Sequence, residues 1–276
     1  MIPAETQALL LMLTGGAVAL AMMSIGFQMS INHKKEKKQK TGLELLTILK
    51  NVLLNLQKHR GTSYRILWGE KNLDNTLITL QQNTARAMHE LKALKEHKYL
   101  SERWLAFEDH WGRLSNNCLS LDAENNLEQH NKIINTFIYL MEDVAEQHHL
   151  SEAQLDLSAA HTINNGWKEV LTTAEWVGQA RALGAGMLTS GNYGSVERIR
   201  MSFIRSKLAK FAQQSGHHSA ANIQLGNFVS IIEKELLEKS QPDITSKDYF
   251  DQASTTIESY MQQFDREIHD LRVAIH

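Results

Sequence analysis

The sequence predicts an all-α protein: an N-terminal transmembrane helix followed by two antiparallel helical bundles. Three observations carry this. From residue 43 onward apolar side chains recur with period 3.6, and no run alternates for long enough to make a strand. Only two prolines occur, Pro3 and Pro242, so long stretches lack the residue that costs a helix interior about 3 kcal/mol. Residues 7–31 carry no charged side chain, which meets the roughly 20 apolar residues that a bilayer core requires of a helix.

The first element is that apolar run. Its N-terminal flank, MIPAET, has Glu5 as its one charged side chain, whereas Lys34, Lys35, Lys37, Lys38 and Lys40 follow it. A signal peptide would carry positive charge before a shorter apolar core. The positive-inside rule puts the N-terminus outside and the chain after Lys40 in the cytoplasm. The expectation is a single pass of a bacterial inner membrane by residues 1–40 and a cytoplasmic domain over 41–276. A buried helix of the globular domain is the competing assignment, and it leaves the one-sided lysines unexplained.

The next elements follow from apolar stripes. Leu46, Leu49, Leu53 and Leu56 form the first, and Leu73, Leu77, Leu80, Met88 and Leu91 the second. Trp104, Phe107, Trp111 and Leu114 make a third, and Ile133, Phe137, Leu140, Met141 and Val144 a fourth. Residues 169–188, 196–211, 223–237 and 249–273 continue the series. Turn chemistry separates them at 69–72, 122–126, 164–166, 191–194 and 241–243. Ser151, Asp243 and Ser246 read as helix N-caps.

Composition excludes several classes. With 29 Lys and Arg against 31 Asp and Glu, the net charge of -2 provides no basic footprint for nucleic acid. Cys118 is the single cysteine, so no internal disulfide forms. No zinc spacing, nucleophile elbow, phosphate loop or dinucleotide fingerprint is present. A di-iron bundle needs two Glu-x-x-His pairs, and one clear instance occurs, Glu146 with His149. The chain therefore reads as a non-enzyme without metal or cofactor.

Two arginines stand out by phase. Continuing the first stripe brings Arg60 onto the apolar face; in the later segment Val170, Ala174, Val177, Arg181, Ala185 and Leu188 do the same for Arg181. A buried arginine requires a compensating anion, either a carboxylate or a ligand. Small residues surround both: Gly61 beside Arg60, and Gly178, Ala182, Gly184, Ala185 and Gly186 around Arg181. Glycine inside a helix costs about 1 kcal/mol against alanine, which suggests close helix approach or room for a guest. Gln57 and Gln179 precede the two arginines, and Leu67 and Leu188 follow each at the same spacing. That pattern suggests an internal duplication, with halves of about 43–158 and 159–276. The alternative is a structural salt bridge. Glu175 is a poor partner for Arg181 within one helix, and glutamates on other helices remain available.

The stretch Gln57-Lys58-His59-Arg60-Gly61-Thr62-Ser63 resembles the Q-x-E-R-G-x-S signature of the nitrate- and nitrite-sensing NIT domain family. Residues 176–185, WVGQARALGA, resemble its second signature, and Ile138-Tyr139-Leu140-Met141-Glu142-Asp143 resembles the stretch before the second half. The resemblance covers about residues 43–270. It implies two bundles sharing long helices, with nitrate or nitrite held between them by Arg60 and Arg181. His59, Gly61, Ser63, Gly178, Ala182, Gly184 and Arg65 would be supporting residues, and Arg198, Arg200 and Arg205 are further candidate donors. His59 and Ala180 stand where the family carries glutamate. Anion entry would relieve repulsion between the arginines, draw the helices together and signal to a protein partner, since no output module is legible. A homodimer fits such sensors, and Gly15, Gly16 and Ala19 could let membrane helices pack closely. The alternative is a membrane-anchored helical scaffold that senses nothing.

Overall fold

The computed structural model describes the backbone of residues 4–93, 102–150, 166–214 and 219–275, with side chains from residue 16 onward, Ala19 and Gln214 excepted. Among these residues every ordered element is helical. The helices are α1 (Ala4–Leu67), α2 (Asp74–Ala93), α3 (Glu102–Asn117), α4 (Ala123–Gln147), α5 (Trp167–Ser190), α6 (Ser195–Gln214), α7 (Ala220–Ile231) and α8 (Ser246–Ala274). A 3₁₀ turn, Cys118–Ser120, joins α3 to α4, and α7 widens into a π-helical stretch over Ile232–Glu238.

The apolar run and the first bundle stripe, separate in the sequence reading, form one helix. The lysine-rich stretch between them consists of good helix formers, with no glycine until Gly42 and no proline. Among the described residues no helix is long and apolar enough to cross a membrane. The side chains of residues 7–15, the first part of the predicted span, lie outside the described residues. Those described between 16 and 31 are all exposed, the large apolar ones from Ile31 at 44% to Phe27 at 70%.

The core begins where α1 meets the other helices. Leu43, Leu46, Leu49, Leu53 and Leu56 are fully buried along one stripe of α1, which packs against α2, α4 and α5. On α3, Trp104, Phe107, Trp111 and Leu114 are buried; Phe107 meets Phe137 on α4, and Trp111 meets His59 on α1. Among the later helices α8 packs along α5, and α6 and α7 complete the contacts. Helix α5 also touches α1 and α4, so it is buried on nearly every side from Val170 to Met187. Each large apolar side chain buried this way contributes about 1.5–3 kcal/mol.

The helix ends correct part of the cap reading. Thr245, not Asp243 or Ser246, caps α8: its hydroxyl accepts from the Asp248 amide. Ser246 instead donates to the Ala185 carbonyl, 3.1 Å away on α5. Asp122 caps α4 by accepting from the Asn125 amide, which holds its carboxyl below the usual range. Gly191 closes α5 with a left-handed φ of 65°. The predicted cap at Ser151, the predicted turn residues Asn164 and Asn165, and the boundary between the proposed halves lie outside the described residues.

Candidate functional site: a buried arginine pair and an adjoining cleft

Arg60 and Arg181 are both buried, at 0% and 3% exposure. Their surroundings differ. Arg60 reaches from α1 to Glu175 on α5 with both terminal nitrogens, Nη1 to Oε1 at 2.5 Å and Nη2 to Oε2 at 3.2 Å. Its Nη1 also donates to Asn131 Oδ1 on α4 at 2.7 Å. Glu175 accepts two further bonds, from Gln57 Nε2 at 3.0 Å and Gln179 Nε2 at 2.9 Å. The charge of Arg60 is therefore compensated from within the chain. The sequence reading missed this pairing because it weighed Glu175 only as a partner along its own helix. Its signal was phase: Leu171, Ala174, Glu175 and Gly178 share one face of α5 and all are buried.

Arg181 contacts no carboxylate among the described residues. Its Nη1 donates to Ser254 Oγ at 3.0 Å, its Nη2 to the Gln57 carbonyl at 3.4 Å, and its Nε has no partner. The guanidinium lies over the Phe250 ring at 4.7 Å. Burial, and then the charge of Arg60, pull its pKa down to about 9, with Glu175 opposing. It thus remains a cation at neutral pH. It lines a cleft of about 560 Å³ between α1, α2 and α8, together with Gln57, Lys58, Thr62, Arg65, Phe250 and Ser254. An isolated buried cation is costly, so an anion reaching it would be favoured.

The small residues have occupants other than a guest. A Cβ on Gly178 would stand 2.6 Å from Arg60 Nη2. On Gly184 it would collide with the Tyr249 ring and on Gly186 with the Tyr64 ring. Gly61 faces Phe250, where a Cβ would meet the ring edge at 3.3 Å. Ala182 is buried in the core. These positions are small because a guanidinium and aromatic rings from neighbouring helices lie against the α1 and α5 backbones.

His59, standing where the NIT signature has glutamate, is fully buried and linked to His130 on α4, Nδ1 to Nε2 at 2.8 Å. The Asn126 carbonyl, 2.7 Å from His130 Nδ1, fixes that nitrogen as a donor. His130 Nε2 is then an acceptor and His59 Nδ1 its donor, with Gln81 Nε2 donating to His59 Nε2 at 3.3 Å. Both rings are neutral: burial lowers His59 to about 4 and places His130 well below its ordinary value. Ser63 is buried alongside and donates toward Asn126 Oδ1 at 3.1 Å.

The four further candidate arginines are engaged. Arg65 pairs with Glu70 and lies over Phe250 at the rim of the cleft. Arg200 pairs with Glu124, and Arg205 with Glu233. Arg198 donates to the carbonyls of Tyr193, Leu237 and Lys239, which ties down the end of the π-helical stretch. Among the described residues no group of three or more His, Cys, Asp or Glu could hold a metal ion. No protein-family model matches the chain, and no curated protein or solved structure does.

Proposed function

We propose that this chain is a membrane-anchored sensor in which Arg181 holds a small planar oxoanion, nitrate or nitrite foremost, and whose helix positions report occupancy to a protein partner. One observation carries the reading: Arg181 is a fully buried cation with an unpartnered Nε, lacks a carboxylate among the described residues, and borders an open cleft. A guanidinium offers a planar fork of donors that matches a planar oxoanion. Arg60 acts beside it as a positioning residue, already neutralised by Glu175, rather than as the second arm of a clamp. The resemblance of residues 57–63 and 176–185 to the NIT signatures is consistent with this division of roles.

An anion at Arg181 would meet Arg181 on α5 and Ser254 on α8, and would compete with the Gln57 carbonyl of α1 for the guanidinium. Its arrival would change the relative positions of three helices, which is how occupancy becomes a signal. In this reading the two halves are antiparallel bundles sharing α1. Residues 7–31 anchor the protein, supported by the uncharged run, the following lysines and the exposure of the described apolar side chains between 16 and 31. Orientation follows the lysines, with the domain cytoplasmic. A scaffold without sensing is the second reading, favoured by the closed Arg60–Glu175 pair.

The test is thermal unfolding of the full chain in detergent with nitrate, nitrite, chloride and sulfate at matched ionic strength. Ligand at 100 times its Kd adds about 2.7 kcal/mol, a shift of about 5–11 °C for a domain of this size. The shift is expected with nitrate or nitrite and lost in Arg181→Ala. Arg60→Ala is expected to unfold the domain, because it strands Glu175 in the core. Equal responses to all four salts favour the scaffold.

A further inference from the structure

The cleft beside Arg181 is far larger than a bare oxoanion needs. A four-atom anion replaces only a few waters, each with a share of about 30 Å³, and the cleft holds about 560 Å³. Its layout follows from the antiparallel course of α1 and α8. At one end Arg65 lies over Phe250; at the other Lys50 pairs with Asp265 at 2.5 Å. Arg181 reaches the wall at Ser254, nearer the Phe250 end. From Ser254 to Asp265 the wall extends about 16 Å at 1.5 Å per residue, and Leu54, Ile257 and Met261 line it. Glu258 also borders the cleft with an exposed side chain.

Charge is as informative as shape. Of the cations lining the cleft, Lys50 and Arg65 have carboxylate partners and Lys58 is exposed, which leaves Arg181 as the buried cation that meets no carboxylate among the described residues. A buried cation that meets no carboxylate, its unpartnered Nε and an apolar trough leading away describe a ligand with a planar anionic head and an apolar body. Pockets for such molecules are mostly apolar with a few placed polar groups.

We infer that the site takes an organic monocarboxylate, its carboxylate on Arg181 and its hydrocarbon part along Leu54, Ile257 and Met261. This rests on the reading of Arg181 as the anion contact. It goes further by making the apolar trough a determinant of specificity. A second charge would have to be desolvated against Leu54, Ile257 and Met261, and a bare oxoanion would leave the trough unfilled.

The experiment is isothermal titration calorimetry of the full chain with acetate, butyrate, hexanoate, benzoate and nitrate, repeated on Leu54→Gln and Arg181→Gln. Leu54 is only partly buried and packs at the edge of the core, so its substitution costs less than that of a fully buried leucine. Affinity is expected to rise about threefold to fourfold per buried methylene from acetate to hexanoate. Leu54→Gln should flatten that series while leaving nitrate within twofold, and Arg181→Gln should abolish all binding. If nitrate binds through Arg181 and hexanoate binds no tighter than acetate, the organic ligand is overturned and the oxoanion reading stands. If the acids bind through Arg181 and nitrate does not, the reverse holds. A chain-length trend that persists in Leu54→Gln is partition without a site and overturns the proposal. Binding of none of the anions removes both readings.

Discussion

Glu175 receives four N–H donors from three side chains on two helices, and that convergence makes Arg60 affordable in the core. Phase in the sequence was enough to say that Arg60 and Arg181 point inward. It could not say what compensates them, because pairing across helices depends on how helices are stacked, and stacking is invisible to periodicity. Each arginine had the same signal, yet one meets a carboxylate and the other a cleft. At this scale the His59–His130 link gives a pH prediction. His59 binds protons more weakly in the folded chain, about 4 against 6.5 when unfolded. Its contribution is whole above pH 6.5 and is lost as pH falls towards 4, up to about 3 kcal/mol. His130 acts in the same sense. Glu267, raised to about 7 by burial, acts oppositely and loses its contribution as pH rises from 4.5 to 7. The difference between wild type and His59→Gln isolates the histidine. Urea unfolding at pH 7 and pH 5 should show the stability gap between the two proteins narrowing at pH 5; a gap unchanged with pH would mean that His59 is not held neutral.

Helix positions were legible because buried stripes at period 3.6 leave little choice of face: Trp104, Phe107, Trp111 and Leu114 are buried as their spacing requires. Two features were not legible. The continuity of α1 hides in a polar lysine stretch that has no stripe to follow. The π-helical end of α7 is written in ordinary helix formers, Ile232-Glu233-Lys234-Glu235-Leu236-Leu237, and its last carbonyls are captured by Arg198 from another helix. The α5 glycines belong to this scale too. Gly184→Ala or Gly186→Ala should cost about 1–3 kcal/mol through overlap with Tyr249 or Tyr64. Gly112→Ala on α3, where a Cβ meets nothing within 4 Å, should gain up to about 1 kcal/mol. Differential scanning calorimetry of the three variants decides this; equal effects would mean that the glycines mark no close approach.

Across the whole molecule, α1 joins the exposed apolar segment to the helix packing around Arg60 without a break. If residues 7–31 anchor the chain, two buried charges there should release it, each costing about 2.5–3.5 kcal/mol at a helix centre. In a carbonate-washed bacterial membrane fraction the full chain is expected in the pellet and a Leu20→Lys, Ile25→Lys variant in the supernatant. Both side chains are exposed, so the fold of the domain is untouched. A wild-type chain found in the supernatant would sink the anchor. An unbroken α1 has one more consequence, which is angular. A helix advances about 100° per residue, so the number of residues between Ile31 and Thr41 acts as a compass setting for the mouth of the cleft relative to the apolar segment. One residue more or fewer there would swing the domain about a quarter of a circle around the axis of α1, while seven residues, close to two full turns, would restore its bearing.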